Sequence, residues 1–198
     1  MDSLESIIYY YYLPKGYSKS IKYPLVINFH GLSSAAFKHE QYFQLDQVAD
    51  KEAFIVVYPQ SSCQGWNSGL GFRWYATGPD DIGYFNKLLD TLEATYSIDK
   101  NRIYLTGVSL DGSFAYWVAC EMSNRIAAVA SVSGLMSDST LIYYNPVCNV
   151  PVLRIHGTRD HIIKYMGMKQ AFGAEKVVKL RALKNQCENV PDTIQVPN

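Results

Sequence analysis

A serine set between a strand and a helix is the first chemistry this sequence offers. Residues 103–106 (Ile-Tyr-Leu-Thr) read as a strand running into Gly107-Val108-Ser109-Leu110-Asp111-Gly112, with a helix expected from 110 to about 122. Such a sharp turn lifts a serine hydroxyl clear of the sheet and aims free helix N–H groups at the same space, which suits acyl transfer. The Leu110 N–H is then one half of an oxyanion hole. Small residues flank the serine because helix and strand must pass closely. One position departs from the G-x-S-x-G pattern: Asp111 replaces the second glycine. Its side chain is expected to crowd that approach and to bring negative charge near a developing oxyanion, lowering activity.

The elements that must hold this serine alternate short strands with amphipathic helices, the pattern of a mostly parallel sheet covered on both faces. Strands are expected over 7–13, 23–29, 53–58, 103–106, 126–132 and 150–155. Helices are expected over 39–51, from Pro79-Asp80-Asp81 to about 96, over 110–122 and over 164–185. Acidic residues in the first turn of the second helix suit the helix dipole, and Ile82, Phe85, Leu89, Leu92 and Tyr96 form one apolar stripe. Residues 60–78 form a long Gly- and Ser-rich loop carrying Trp66 and Trp74, and loops of this length are often functional. These two indoles either stack on a sugar or aromatic acyl group or plug the edge of the sheet.

Composition narrows the classes. The chain has 198 residues, enough for a single domain, with 48% hydrophobic and 18% charged residues. Its 18 basic and 18 acidic residues cancel, so neither nucleic acid nor an anionic membrane is a favoured partner. No apolar run reaches the ~20 residues of a membrane helix, and the first residues lack the apolar core of a signal peptide. Cys63, Cys120, Cys148 and Cys187 are too irregularly spaced for zinc, and remain open to one or two disulfides or to free thiols. No metal, nucleotide or flavin motif is present, so no cofactor is expected.

His30-Gly31 after a buried strand, Asp80-Asp81-Ile82-Gly83-Tyr84-Phe85, Gly107-Val108-Ser109, the run from Ala119 to Val129 and His156-Gly157-Thr158-Arg159-Asp160 follow one another in a recognisable order. The sequence from about Leu13 to Asp192 resembles the polyhydroxybutyrate depolymerase family of α/β-hydrolases, which includes feruloyl and acetylxylan esterases. The resemblance implies a secreted serine esterase acting on polyester or plant-polysaccharide esters. It matches Ser109 to the nucleophile, Asp160 to the acid that orients the histidine, and the Leu32 N–H to the second half of the oxyanion hole.

A serine nucleophile needs a base within hydrogen-bond reach, and the α/β-hydrolase chain order places it after the acid. Only His161 follows Asp160, and adjacent loop residues rarely orient one another against a third group. His30 and His156 each precede a glycine at a strand end and read as structural. The sequence is therefore expected to lack the last strand and histidine loop of the family, through truncation or as a pseudoenzyme, and to hydrolyse esters poorly. A catalytically inactive protein that binds a carbohydrate or ester ligand in the same cleft is the alternative.

Overall fold

The computed structural model describes residues 7–32, 34–61, 65–68, 79–137, 140, 147–169, 171–188 and 192. Six strands form one sheet in the order β1-β3-β2-β4-β5-β6: β1 Tyr9–Tyr12, β2 Tyr23–Phe29, β3 Ile55–Pro59, β4 Ile98–Val108, β5 Ala128–Val132 and β6 Val152–Ile155. β1 pairs antiparallel with β3, and every other pair is parallel. The expected mostly parallel sheet is thus present, with β1 at one edge and β6 at the other. β4 begins earlier than expected, because Ile98 already pairs with Tyr23 of β2, ahead of an irregularity between Tyr23 and Leu25.

β2 and β3 read as unbroken apolar runs because both of their faces are covered. On one face lie α3 (Asp81–Thr95) and α4 (Leu110–Glu121), and Leu25, Ile27, Phe29, Ile103 and Leu105 pack there against Phe85, Leu89, Leu92, Phe114 and Val118. α3 starts where the acidic residues placed it: the Asp80 carboxylate accepts the Gly83 N–H at 2.8 Å. On the other face, α1 (Ala36–Phe43) and α2 (Leu45–Glu52) cover Val56 and Tyr58. This second layer stops short. Val26, Tyr104, Thr106, Ala128, Ala130 and Leu153 line an open, mostly apolar trough beyond Leu45.

Two helical expectations need correction. The single helix over 39–51 is two helices, broken at Gln44, which adopts a left-handed φ of 49°. The helix over 164–185 is confined to α5 (Ala174–Lys184) and preceded by a two-stranded hairpin, β7 (Gly167–Met168) and β8 (Ala171–Phe172). Gly167 opens β7 at φ 102°, a conformation that favours glycine, and Gly173 packs against the Met166 carbonyl where any side chain would collide. α5 is tied to the start of β6 by Arg181 and Asn185, which donate to the Val150 carbonyl at 2.6 and 3.0 Å.

α1 is locked to the sheet by buried His39, whose Nε2–H donates to the Asn28 side-chain oxygen at 3.0 Å. Burial, with a smaller contribution from His30, lowers the His39 pKa to about 4. The unfolded imidazole titrates near 6.5, so between about pH 6.5 and 4 the unfolded chain takes up a proton that the folded chain refuses. Stability should therefore fall as pH drops through this window, by about 2 kcal/mol after allowance for solvent screening. Urea unfolding at pH 7.5 and 4.5 should show this loss, and His39→Gln, which keeps a donor for Asn28, should reduce it. An equal pH dependence in the variant would contradict the assignment.

Candidate active site

The carboxyl ends of β2, β4, β5 and β6 bring the chemistry together. Ser109 lies at the junction of β4 and α4 with φ 63° and ψ −130°, a conformation that L-residues rarely adopt. Its own N–H donates to the Val132 carbonyl at 2.9 Å, so the turn is fastened to β5. The hydroxyl therefore belongs to a strained elbow rather than to a regular helix. The Leu110 N–H, first in α4, has no partner within the helix ladder and is available to an anion.

The close approach behind the elbow depends on three glycines. A Cβ on Gly107 would come within 2.7 Å of the Asp111 backbone, and one on Gly112 within 2.7 Å of Ser131 Oγ and 3.1 Å of Gly134 Cα. The small residue needed for helix–strand contact is therefore Gly112. Asp111 does not obstruct it, which corrects the expectation of crowding.

Asp111 points instead toward the end of β2. Its side chain is fully buried, its Oδ2 lies 3.6 Å from the position a Gly31 Cβ would take, and neither carboxyl oxygen completes a hydrogen bond. Burial raises its pKa well above the usual carboxylate range, with a smaller push from Asp81, while the Trp66 backbone partly offsets both. The un-ionised acid is favoured, so the expected negative charge beside the oxyanion is not supported.

Asp160 follows β6, and its Oδ1 accepts the N–H groups of Ile162 and Ile163 at 3.0 and 2.9 Å. These bonds, with help from Ser133 and His156, hold its pKa below the ordinary value. The carboxylate thus caps a turn and remains an anion at the same sheet edge as Ser109. Ser133, the residue after β5, links the two strand ends: its N–H donates to the Ile155 carbonyl at 2.8 Å. Two inter-strand spacings put the backbones of β4 and β6 about 10 Å apart.

None of the four histidines hydrogen-bonds Ser109. His30 is buried, accepts the Ser61 N–H at Nε2 (3.1 Å), and is held neutral by burial. His39 is committed to Asn28. The Arg154 guanidinium, which can only donate, lies 2.8 Å from His156 Nδ1, so Nε2 carries the proton and donates to the Ile163 carbonyl at 2.7 Å. That pairing leaves His156 Nε2 3.7 Å from Asp160 Oδ2 and makes His156 a structural residue. His161 is exposed.

Trp66 is not a surface for a ligand. It is fully buried, stacked on Phe114 with centroids 5.1 Å apart and packed edge-on against Phe29 at 5.3 Å. The reading of Trp66 as a substrate-stacking group is corrected accordingly, and Trp74 lies outside the described residues. Leu32 is 43% exposed just beyond β2, near the elbow side of the sheet. Cys120, Cys148 and Cys187 are free thiols, and Cys63 lies outside the described residues. Among the described residues no cluster of three or more metal-ligating side chains forms, and no helix is long and apolar enough to cross a membrane.

Residues 7–166 match the family described as esterase PHB depolymerase. Over 143 residues the chain is 31% identical to the bifunctional acetylxylan esterase/xylanase XynS20E of Neocallimastix patriciarum, covering 72% of this chain and 20% of that protein. It is 25% identical over 160 residues to feruloyl esterase B of Piromyces equi, covering 78% and 29%. Among solved structures a thermostable esterase superposes with a TM-score of 0.69 at 22% identity, covering 90% of this chain and 48% of the other. The chain therefore spans less than a third of the length of these two sequence relatives.

Proposed function

The chain belongs to the esterase PHB depolymerase family, and from that premise we propose that it is a serine carboxylic ester hydrolase working through an acyl-enzyme at Ser109. The observation that carries this reading is the elbow itself, a non-glycine residue at φ 63° fixed at the carboxyl edge of a parallel sheet. Strain of this kind costs about 1–3 kcal/mol and concentrates at functional sites. Ser109 Oγ attacks the ester carbonyl, the peptide N–H groups of Leu110 and Leu32 receive the oxyanion, the alcohol departs, and water releases the acid. Asp160 is the acid that would orient an imidazole base, a place that none of the four histidines fills at Ser109.

The names of the relatives favour acetyl or feruloyl esters of plant polysaccharide, with a polyester as the other member of the class. Because none of the four histidines contacts Ser109, these 198 residues should acylate slowly, by about 10⁴-fold or more relative to a complete triad. A non-catalytic protein that binds an ester or carbohydrate is the second reading, and the same missing contact favours it.

A fluorophosphonate probe separates the two. Slow labelling confined to Ser109, abolished in Ser109→Ala and accelerated by added imidazole, is the expected result. Labelling that persists unchanged in Ser109→Ala, or a Ser109 inert even with imidazole, sinks the esterase reading.

A further inference from the structure

The side chain at position 111 has no part in the chemistry so far, yet it occupies the space between three pieces of the site. It rises from the first turn of α4, two residues after the nucleophile. Its Oδ2 abuts Gly31, on the turn that leads to Leu32. The Trp66 backbone faces the same carboxyl, and Trp66 is itself held between Phe29 and Phe114. The next residue, Asn67, donates its N–H to Asp81 Oδ2 at 2.6 Å. Two buried aspartates, one at the start of α3 and one at the start of α4, therefore flank the segment 65–68.

We propose that Asp111 is a positioning residue: its side chain wedges the Gly31 turn and the Trp66 segment apart and so sets the spacing of the two peptide N–H groups, of Leu32 and Leu110, that receive the oxyanion. The role at Ser109 rests on the esterase reading, whereas the wedge rests on packing alone. A glycine at this position leaves the space empty, and among the described residues Asp111 Oδ2 is the one atom within 4 Å of the side on which Gly31 carries no side chain. The wedge works as the un-ionised acid. A carboxylate in a fully buried site is costly, and the Trp66 and Asp111 backbone N–H groups offset only part of that cost, so ionisation should loosen the same contacts. The titratable group that acts on it among the described residues is Asp81 from α3, which opposes ionisation.

The test compares the wild-type chain with Asp111→Asn and Asp111→Gly. In the first arm, fluorophosphonate labelling of Ser109 is followed from pH 6 to 10. Asp111→Asn, nearly isosteric and never charged, keeps the wedge and should stay close to wild type. Asp111→Gly should label about tenfold more slowly or worse at every pH, because misplacing an oxyanion donor weakens transition-state stabilisation. In the second arm, amide hydrogen exchange in peptides spanning 28–32 and 65–68 should accelerate in Asp111→Gly and not in Asp111→Asn. A glycine variant that labels as fast as wild type, or an Asp111→Asn variant that labels as slowly as Asp111→Gly, overturns the positioning role. If wild-type Ser109 does not react at all, the esterase reading fails and exchange decides the wedge: unchanged exchange in Asp111→Gly overturns it.

Discussion

Replacing Trp66 by alanine is expected to lower folding stability by about 3–5 kcal/mol, the range for removing a large aromatic from a packed interior. Trp66 has no exposed surface and touches four aromatic rings, those of Phe29, His30, Tyr84 and Phe114. Alanine would leave a void lined by Phe29, Phe114 and the start of α3, between elements that carry the elbow and the oxyanion turn. A domain of this size is commonly stable by about 5–15 kcal/mol, so the loss is a large fraction of the total. Trp66→Phe should be much milder, at about 1–2 kcal/mol. The indole Nε1 has no hydrogen-bond partner to lose, so only volume and ring contacts change. Urea unfolding of the three proteins checks this. A Trp66→Ala chain as stable as wild type, altered only in substrate affinity, would return Trp66 to the role of a binding surface.

That expectation shows where sequence reasoning stops. The elbow was legible because it is local: a β-rich stretch, Gly107, Ser109 and a helix-forming run fix a strand–turn–helix with few alternatives. α3 was legible for the same reason, since Asp80 caps the helix from its own first turn. The fate of Trp66 was not local. A long Gly- and Ser-rich loop looks like surface, and only the placement of Phe29 and Phe114 on neighbouring elements turns the indole inward. Asp111 misled in a similar way. The sequence implies a negative charge there, but burial favours the un-ionised acid.

The broken helix at Gln44 and the hairpin at 167–172 were also set from a distance. Residues 39–51 and 164–185 both contain apolar residues at helical spacing. Tertiary contacts override that weak preference, by seating His39 on Asn28 in one case and by pairing Ser137 with Ala171 in the other. Ser109 and Asp160 share the sheet edge that their positions at strand ends demanded. His156 reads as structural from its place before a glycine at a strand end, and the partners that hold it, Arg154 and the Ile163 carbonyl, lie within seven residues of it.

The second large effect concerns the glycines behind the elbow. Gly134→Ala is expected to destabilise the fold by about 3 kcal/mol or more, at the upper end for overpacking. The added Cβ would fall 2.5 Å from the Gly112 carbonyl carbon and 2.8 Å from its Cα. Both atoms are backbone, so no rotamer change relieves the clash. α4 must move away from β5, against the Ser131 hydroxyl that donates to the Gly112 carbonyl at 3.0 Å. Because Ser109 stands at the start of α4, the same displacement should slow its labelling by the fluorophosphonate, so stability and reactivity should fall together. Gly157→Ala is the control from the neighbouring strand end. A Cβ there meets nothing within 4 Å, so the change should stay within about 0.5 kcal/mol. Equal melting temperatures for the two variants would mean that α4 does not approach β5 this closely, and that the elbow owes its shape to something other than the three glycines.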